Sequence, residues 1–348
     1  MQTDRPSART RVLSANNASE WTTAVEEAAR LITDGEVVAL PTETVYGLAA
    51  DASSEQATRR IFEIKNRPPT NPLIVHVDGV EMAQGLVAEW PESARLLAQH
   101  FWPGPLTMAL PKNQRIPDSV TAHGNTVALR APGHPLMREV IRVSERPIAA
   151  PSANLSGELS PTRAEHVTER LGGRIRLVVD AGPCRFGIES TVIDLSGERP
   201  TLLRPGHIHE QAIFEATGIQ IVPRPTVAEG PAKSPGLETR HYSPEATLHN
   251  WKWDSEDELG RLLDEHEINA PDTYVIAHRV VPIKARKTHY IVFPDDAEAY
   301  ARALYDQLHQ LDRIGARHIV VEALADGPEW NGLRDRLSRA SRGKEPAS

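Results

Sequence analysis

The chain is short of several things that place a protein quickly. It has one cysteine, Cys184, in 348 residues, so no disulfide can form within it, and a thiolate metal site would need ligands of other types. A lone thiol fits a reducing compartment, and a cytoplasmic location is the expectation. No apolar run approaches the roughly 20 residues that cross a bilayer. The polar stretch 1–17 lacks the apolar core of a secretory signal. Excess positive charge is missing too: the formal net charge is -8, which argues against a globally basic nucleic-acid binder and leaves only local RNA contact. No Gly-x-x-x-x-Gly-Lys-Ser/Thr loop, Gly-x-Gly-x-x-Gly turn or His-Glu-x-x-His helix occurs. The common phosphate, dinucleotide and zinc signatures are therefore excluded.

What is present looks globular, with 40% hydrophobic and 25% charged residues. The length exceeds a typical domain of roughly 100–200 residues, so two cores are expected. Residues 1–17 read as a disordered tail. Ser19 can cap a helix reaching about Asp34, and Ser53 with Gln56 forms a capping box for a helix that runs to Lys65 and stops at Pro68-Pro69. Up to Val222, strand patterns such as Val37–Leu40, Leu73–Val77, Leu106–Leu110 and Val127–Arg130 outnumber helices. That imbalance predicts an α/β domain over 18–222 built on a strongly twisted mixed sheet with helices outside it, rather than a doubly wound parallel sheet. Residues 223–245 are rich in Pro, Gly, Ser and charge and read as a linker. Beyond them, strands alternate with helices over 246–343, the pattern of a small three-layer α/β domain.

Polar side chains gather where strands end, from which a rigid sheet can aim them into one cavity. Pro41-Thr42-Glu43-Thr44-Val45-Tyr46-Gly47-Leu48 directly follows a strand, and its hydroxyls can donate to a carboxylate or phosphate. Threonine is also an ordinary strand residue, but the flanking proline and glycine favour a shaped site. Lys65-Asn66-Arg67-Pro68-Pro69, with Asn71 behind it, holds two cations at a helix end, where the dipole attracts cations in any case. Arg130 closes a strand before Ala131-Pro132-Gly133; its fork suits a carboxylate, the plain alternative being an exposed strand-end arginine. Ala150-Pro151-Ser152-Ala153-Asn154-Leu155-Ser156-Gly157, followed by Ser160, resembles an anion-binding nest, although many turns share that composition. Glu189-Ser190-Thr191-Val192 enters one strand and Leu203-Arg204-Pro205-Gly206 ends another on a cation. His76 alternates within a strand and reads as half-buried with a local partner. Cys184 adjoins no His–acid pair, so a thiol nucleophile is not expected.

These segments, in this order and together with Asn-Pro-Leu-Ile-Val-His and Trp-Pro-Gly-Pro-Leu-Thr, resemble the threonylcarbamoyl-AMP synthase family in its longer form, over about Ala24 to Val222. The resemblance implies a YrdC-like fold, a twisted mixed sheet with flanking helices and a central cleft, followed by a small Rossmann-like C-terminal domain. It implies conversion of L-threonine, bicarbonate and ATP into threonylcarbamoyl-AMP, diphosphate and water. Mg²⁺ would accompany ATP, with no organic cofactor and no confident metal ligand from the protein. The product would pass to a separate tRNA threonylcarbamoyltransferase complex that modifies the adenosine beside the anticodon. Carried over residue by residue, Thr44, His76, Arg130 and Ser190 would hold threonine near the Ala150 backbone. Arg67, Asn71, Thr126, Ser152, Asn154, Ser160 and Arg204 would grip ATP, with Lys65 and Arg67 as the catalytic cations. Tyr242 would reach in from the linker, whose Ser234-Pro235-Gly236 and His241-Tyr242-Ser243-Pro244 look like a segment folding over the active site. Ala49 and Ala181 stand where glycine is common in the family, which leaves the local backbone angles open.

Two other readings remain. A concave face carrying Lys65, Arg67, Arg130 and Arg204 could hold the backbone of double-stranded RNA, although the acidic net charge weighs against it. The same fold also occurs within carbamoyl-transfer maturation enzymes, where it accompanies zinc-finger cysteines that this chain lacks.

Overall fold

Residues 9–223, 242–282 and 287–342 are described by a computed structural model, in which the chain divides into two units. One comprises Met1–Ser156 with Ser160–Leu237; the other comprises Glu238–Ser348 with Gly157–Leu159. The boundary falls within residues 224–241, outside the described residues, as do Ser234-Pro235-Gly236 and His241 of the expected linker.

In the first unit, strands β1 (Arg11–Ser14), β2 (Val38–Leu40), β3 (Gly47–Asp51), β4 (Ile74–His76), β5 (Leu106–Pro111), β6 (Thr126–Arg130), β7 (Ile148–Ala149), β8 (Leu177–Asp180), β9 (Thr191–Asp194), β10 (Thr201–Arg204) and β11 (Val222–Pro223) form one sheet. Its order is β1-β8-β2-β3-β7-β4-β6-β5-β9-β10-β11. Parallel and antiparallel pairings occur in equal number, so the sheet is mixed as expected.

Three local expectations are corrected. The tail reading fails from Arg11 onward, because β1 pairs in parallel with Leu177–Asp180. An edge strand shows no clean apolar alternation, and Val12 is 50% exposed. The first helix, Ala18–Thr33, is capped by Asn17 rather than Ser19, and the helix Glu55–Lys65 by Ser54 rather than Ser53. Asn17 and Ser54 are the residues with extended backbone, and their side chains accept from the N–H of Glu20 and Ala57. Ser53 instead donates to Asp51.

One face of this sheet carries Val75, Met108, Leu129 and Ile193 into a core shared with Ile61, Leu97 and Val167 of three helices. On the other face, the helices Ala18–Thr33 and Pro135–Ser144 bury Val25, Ile32, Leu136 and Ile141 against Val38, Leu40, Ile148 and Val179. Each such side chain contributes roughly 1.5–3 kcal/mol. Beyond β7, that second face has only a small apolar cluster of Ala109, Val192 and Leu203. On β4 and β6 it carries His76 and Arg130 next to Ile74 and Ala128.

In the second unit, β12 (Thr247–Trp251), β13 (Thr273–Ala277), β14 (His289–Val292) and β15 (His318–Glu322) form a wholly parallel sheet ordered β12-β15-β13-β14. Val275, Ala277 and Val320 pack with Leu259 and Leu263 of the helix Glu256–Glu265. Ile276, Ile319 and Val321 alternate to the opposite face and are also buried, as three layers require. Among the described residues, no helix is long and apolar enough to cross a membrane.

Candidate active site

Register and side-chain alternation assemble the site on the polar part of the first sheet. His76 and Arg130 are partners on the parallel strands β4 and β6. Leu129 pairs with Met108, which sets Arg130 beside Thr107; Thr107 lies opposite Val192, and Val192 opposite Arg204. Because Leu129 and Met108 point into the core, their neighbours point away from it. His76, Arg130, Thr107 and Arg204 therefore form one row, on strands roughly 4.8 Å apart. Ser190 faces the same way, with Oγ 2.8 Å from Thr107 Oγ1 and accepting from Arg204 Nη2 at 3.1 Å. Arg204 Nε donates to the Ser190 carbonyl at 3.1 Å. The turn after Arg204 lies so close to β9 that a Cβ on Gly206 would sit 2.4 Å from the Thr191 nitrogen. Only glycine fits there.

Arg130 is buried, correcting the exposed strand-end alternative. Nη1 donates to Thr44 Oγ1 at 3.0 Å and Nε to the Gly104 carbonyl at 3.2 Å. Nη2 lies 2.7 Å from Glu43 Oε1, but off the hydrogen-bond direction, so both atoms lack an aligned partner. Burial alone would raise the Glu43 carboxyl; the Arg130 guanidinium outweighs that and holds it below the usual range. Thr44 is set by Thr42, whose Oγ1 accepts from the N–H of Thr44 and Val45 at 3.1 and 3.2 Å.

His76 is 2% exposed and neither ring nitrogen has a hydrogen-bond partner among the described residues, contrary to the expected local partner. Burial, then the Arg130 charge, push its pKa down to about 3, leaving a neutral imidazole near pH 7. An unsatisfied buried ring costs stability that a bound partner can return.

A second polar group forms where the helix Glu55–Lys65 ends at Asn66, a left-handed residue with φ 51° and ψ 41°. Lys65 is buried, and Nζ donates to the carbonyls of Ser152 and Asn154. Arg67 Nε and Nη2 donate to the carbonyls of Asn71 and Pro72 at 3.0 and 2.8 Å. The adjoining segments are tied together: Ala150 N–H donates to Ile74, Ala153 N–H to Tyr46, and Ser160 Oγ to Glu189. Ser152 is only partly buried, whereas Asn154 and Ser160 are buried. Thr126 opens β6, roughly 13 Å along the strand from Arg130, so it belongs with the Asn71 end. Tyr242 lies in the second unit, with the Arg336 guanidinium 5.0 Å from its ring centroid. Ala49 and Ala181 are not among the residues with positive φ, so neither alanine strains the backbone. Cys184 is buried and its thiol is pushed well above the usual range, chiefly by burial, as befits an inert side chain.

Sequence reasoning missed Glu43 and Thr107 as members of the site. Glu43 sat inside a recognised motif, but its sign of charge pointed away from anionic substrates; Thr107 lay within a plain apolar strand.

Comparison with known proteins bears on this arrangement. A family model for the domain shared by Sua5, YciO and YrdC, described as "Telomere recombination", matches residues 30–206. A second, described as "Threonylcarbamoyl-AMP synthase, C-terminal domain", matches residues 208–342. The chain belongs to the threonylcarbamoyl-AMP synthase family. Its similarity to the family's Pyrococcus abyssi member is 40% identity, covering 92% of this chain and 94% of that protein. To the Bacillus subtilis threonylcarbamoyl-AMP synthase it is 39%, covering 92% and 93%. The structure of P. abyssi Sua5 complexed with L-threonine superposes with a TM-score of 0.86 at 38% identity, covering 95% of this chain and 98% of that one.

Proposed function

We propose that the chain is an L-threonylcarbamoyladenylate synthase, a nucleotidyltransferase that turns L-threonine, bicarbonate and ATP into threonylcarbamoyl-AMP, diphosphate and water. The observation that carries this is the row of buried Arg130, neutral His76 and Ser190–Arg204, in a chain whose full-length relatives bear that name. In this reading the threonine carboxylate meets Arg130 and Thr44, with His76, Ser190 and the Ala150 backbone beside them. ATP lies toward Lys65, Arg67, Asn71, Thr126, Ser152, Asn154, Ser160 and Arg204.

The threonine nitrogen bonds to the bicarbonate carbon as a C–O bond of the bicarbonate breaks, and the amine proton leaves with that oxygen as water. A carbamate oxygen then attacks the α-phosphorus as the bond to diphosphate breaks. Negative charge builds throughout, so fixed cations lower the barrier by positioning and electrostatics, and no single general base is assigned. Among the described residues no three His, Cys, Asp or Glu gather to hold a metal, and Glu43 and Glu189 are engaged by Arg130 and Ser160. These residues suit a Mg²⁺ that arrives on the ATP phosphates, where it would neutralise charge.

The product is an activated carbamate for a tRNA threonylcarbamoyltransferase complex acting on the adenosine beside the anticodon. The double-stranded RNA alternative is weakened because Lys65, Arg67, Arg130 and Arg204 are all buried rather than laid out on a surface. The test is incubation with ATP, Mg²⁺, threonine and bicarbonate, followed by mass spectrometry. The adenylate should form and vanish when threonine is omitted; its absence from the complete mixture would sink the proposal.

A further inference from the structure

Glu43 is given no role by the reaction scheme, yet its carboxylate is closely constrained. It sits next to Thr44 in the segment after β2, and its carboxylate is buried together with Arg130, at 8% and 4% side-chain exposure. Oε1 faces Arg130 Nη2 at 2.7 Å, while Oε2 accepts from the His134 N–H at 3.3 Å. The Glu43 carbonyl accepts from the Phe186 N–H at 2.8 Å. A Cβ on Gly133 would come within 3.2 Å of the Glu43 carboxylate, so the turn after β6 is closed against this side chain. Glu43 is therefore held from its backbone, from the His134 turn and by shape, and cannot follow the guanidinium if that moves.

We infer that Glu43 is a positioning residue that fixes the plane of the Arg130 guanidinium at the carboxylate subsite for the amino acid. The inference rests on the proposed threonine site and specifies how it is preorganised. Arg130 donates through Nε to Gly104, through Nη1 to Thr44 and lies against Glu43 through Nη2, so the turn at Gly104 and the Glu43–Thr44 segment together grip one planar group. A guanidinium so held has paid its ordering cost before a carboxylate arrives. The misaligned contact between Nη2 and Oε1 leaves both atoms without an aligned hydrogen bond, so a small swing of Nη2 toward a ligand breaks none. The opposing effect is electrostatic. Glu43 is itself anionic and close to where an anion binds, so removing its charge would favour that anion if the arginine stayed in place.

The experiment compares Glu43→Gln, which keeps the shape and an acceptor for His134 but not the charge, with Glu43→Asp, which keeps the charge but shortens the reach. Threonine-dependent diphosphate release from the full chain gives KM for threonine and for ATP separately, and calorimetry gives threonine affinity directly. Glu43→Gln is expected to raise the threonine KM by roughly tenfold to a hundredfold while the ATP KM stays within about twofold. Glu43→Asp should recover part of the loss. A merely structural role would move both constants or lower the thermal midpoint with neither changed. Unchanged or tighter threonine binding in a folded Glu43→Gln protein overturns the inference and leaves the proposed reaction standing. A wild-type protein that releases no threonine-dependent diphosphate overturns the reaction itself.

Discussion

At the carboxyl ends of the second unit's strands, the buried carboxylate of Glu322 accepts the backbone N–H groups of His278, Arg279 and Val280 at 2.7, 3.0 and 3.1 Å. In the first unit, the buried carboxylate of Glu43 faces the side chain of Arg130 instead. Both acids titrate below the usual range although burial alone would raise them. For Glu322 the His278 ring and the N–H groups bring the value down to about 2, whereas for Glu43 the cause is a guanidinium. An acid satisfied by main chain is a fixture that nothing displaces short of unfolding. An acid satisfied by a cation leaves that cation able to share itself with a ligand.

The sharpest way to break this contrast is to remove cations from the first unit. Lys65→Ala and Arg67→Ala should each lower adenylate formation by on the order of a thousandfold, with the far-ultraviolet circular dichroism spectrum retained; near-normal turnover in both would show that these cations are also fixtures. Glu322→Ala should act oppositely. Leaving three backbone donors unsatisfied costs about 3 kcal/mol or more in urea unfolding, with turnover per folded molecule unchanged.

Acid then separates the groups by the pH window in which each loses its contribution. His76 stays neutral in the folded chain down to about pH 3 but charges near its ordinary value when unfolded. The unfolded state therefore binds more protons between those values, and stability falls as the pH drops through that window, by up to about 1.4 kcal/mol per pH unit. His76→Asn should flatten that slope in thermal scans. The contribution of Glu322, whose folded value is depressed, is complete above the ordinary carboxylate range and is lost, with the same sign, as the pH falls from there to about 2. The smallest expected effect is Arg59→Ala. It breaks an exposed pair with Glu55 and should cost less than about 0.5 kcal/mol, well below any change within the buried clusters.

The sequence carried the strands whose apolar residues alternate or bunch, such as β6 and β8, and the two-unit plan. It did not carry β3, Gly47-Leu48-Ala49-Ala50-Asp51, because a strand buried on both faces shows no alternation and these small residues favour no strand. The helix Glu92–Phe101 went unread although Ala94, Leu97 and Ala98 lie on one buried face. In the site, the cations and hydroxyls were visible as motifs, but their assembly into a row was not. That depends on β4, β6, β5, β9 and β10 meeting in one register, and pairing between distant strands leaves no local mark. Glu43 was hidden for the same reason, since its partner is fixed only when the turn after β6 closes over it.

Asn66 stands between Lys65 and Arg67 in the left-handed conformation, and this has a consequence for inherited variation. Glycine, asparagine and aspartate are the residue types that take this backbone readily, and β-branched types resist it. A change such as Asn66→Val would leave both neighbouring charges in the gene yet turn the backbone that sends one to Ser152 and Asn154 and the other to Asn71 and Pro72. The uncharged letter in the middle is thus the place where a single missense change can disarm two cations at once.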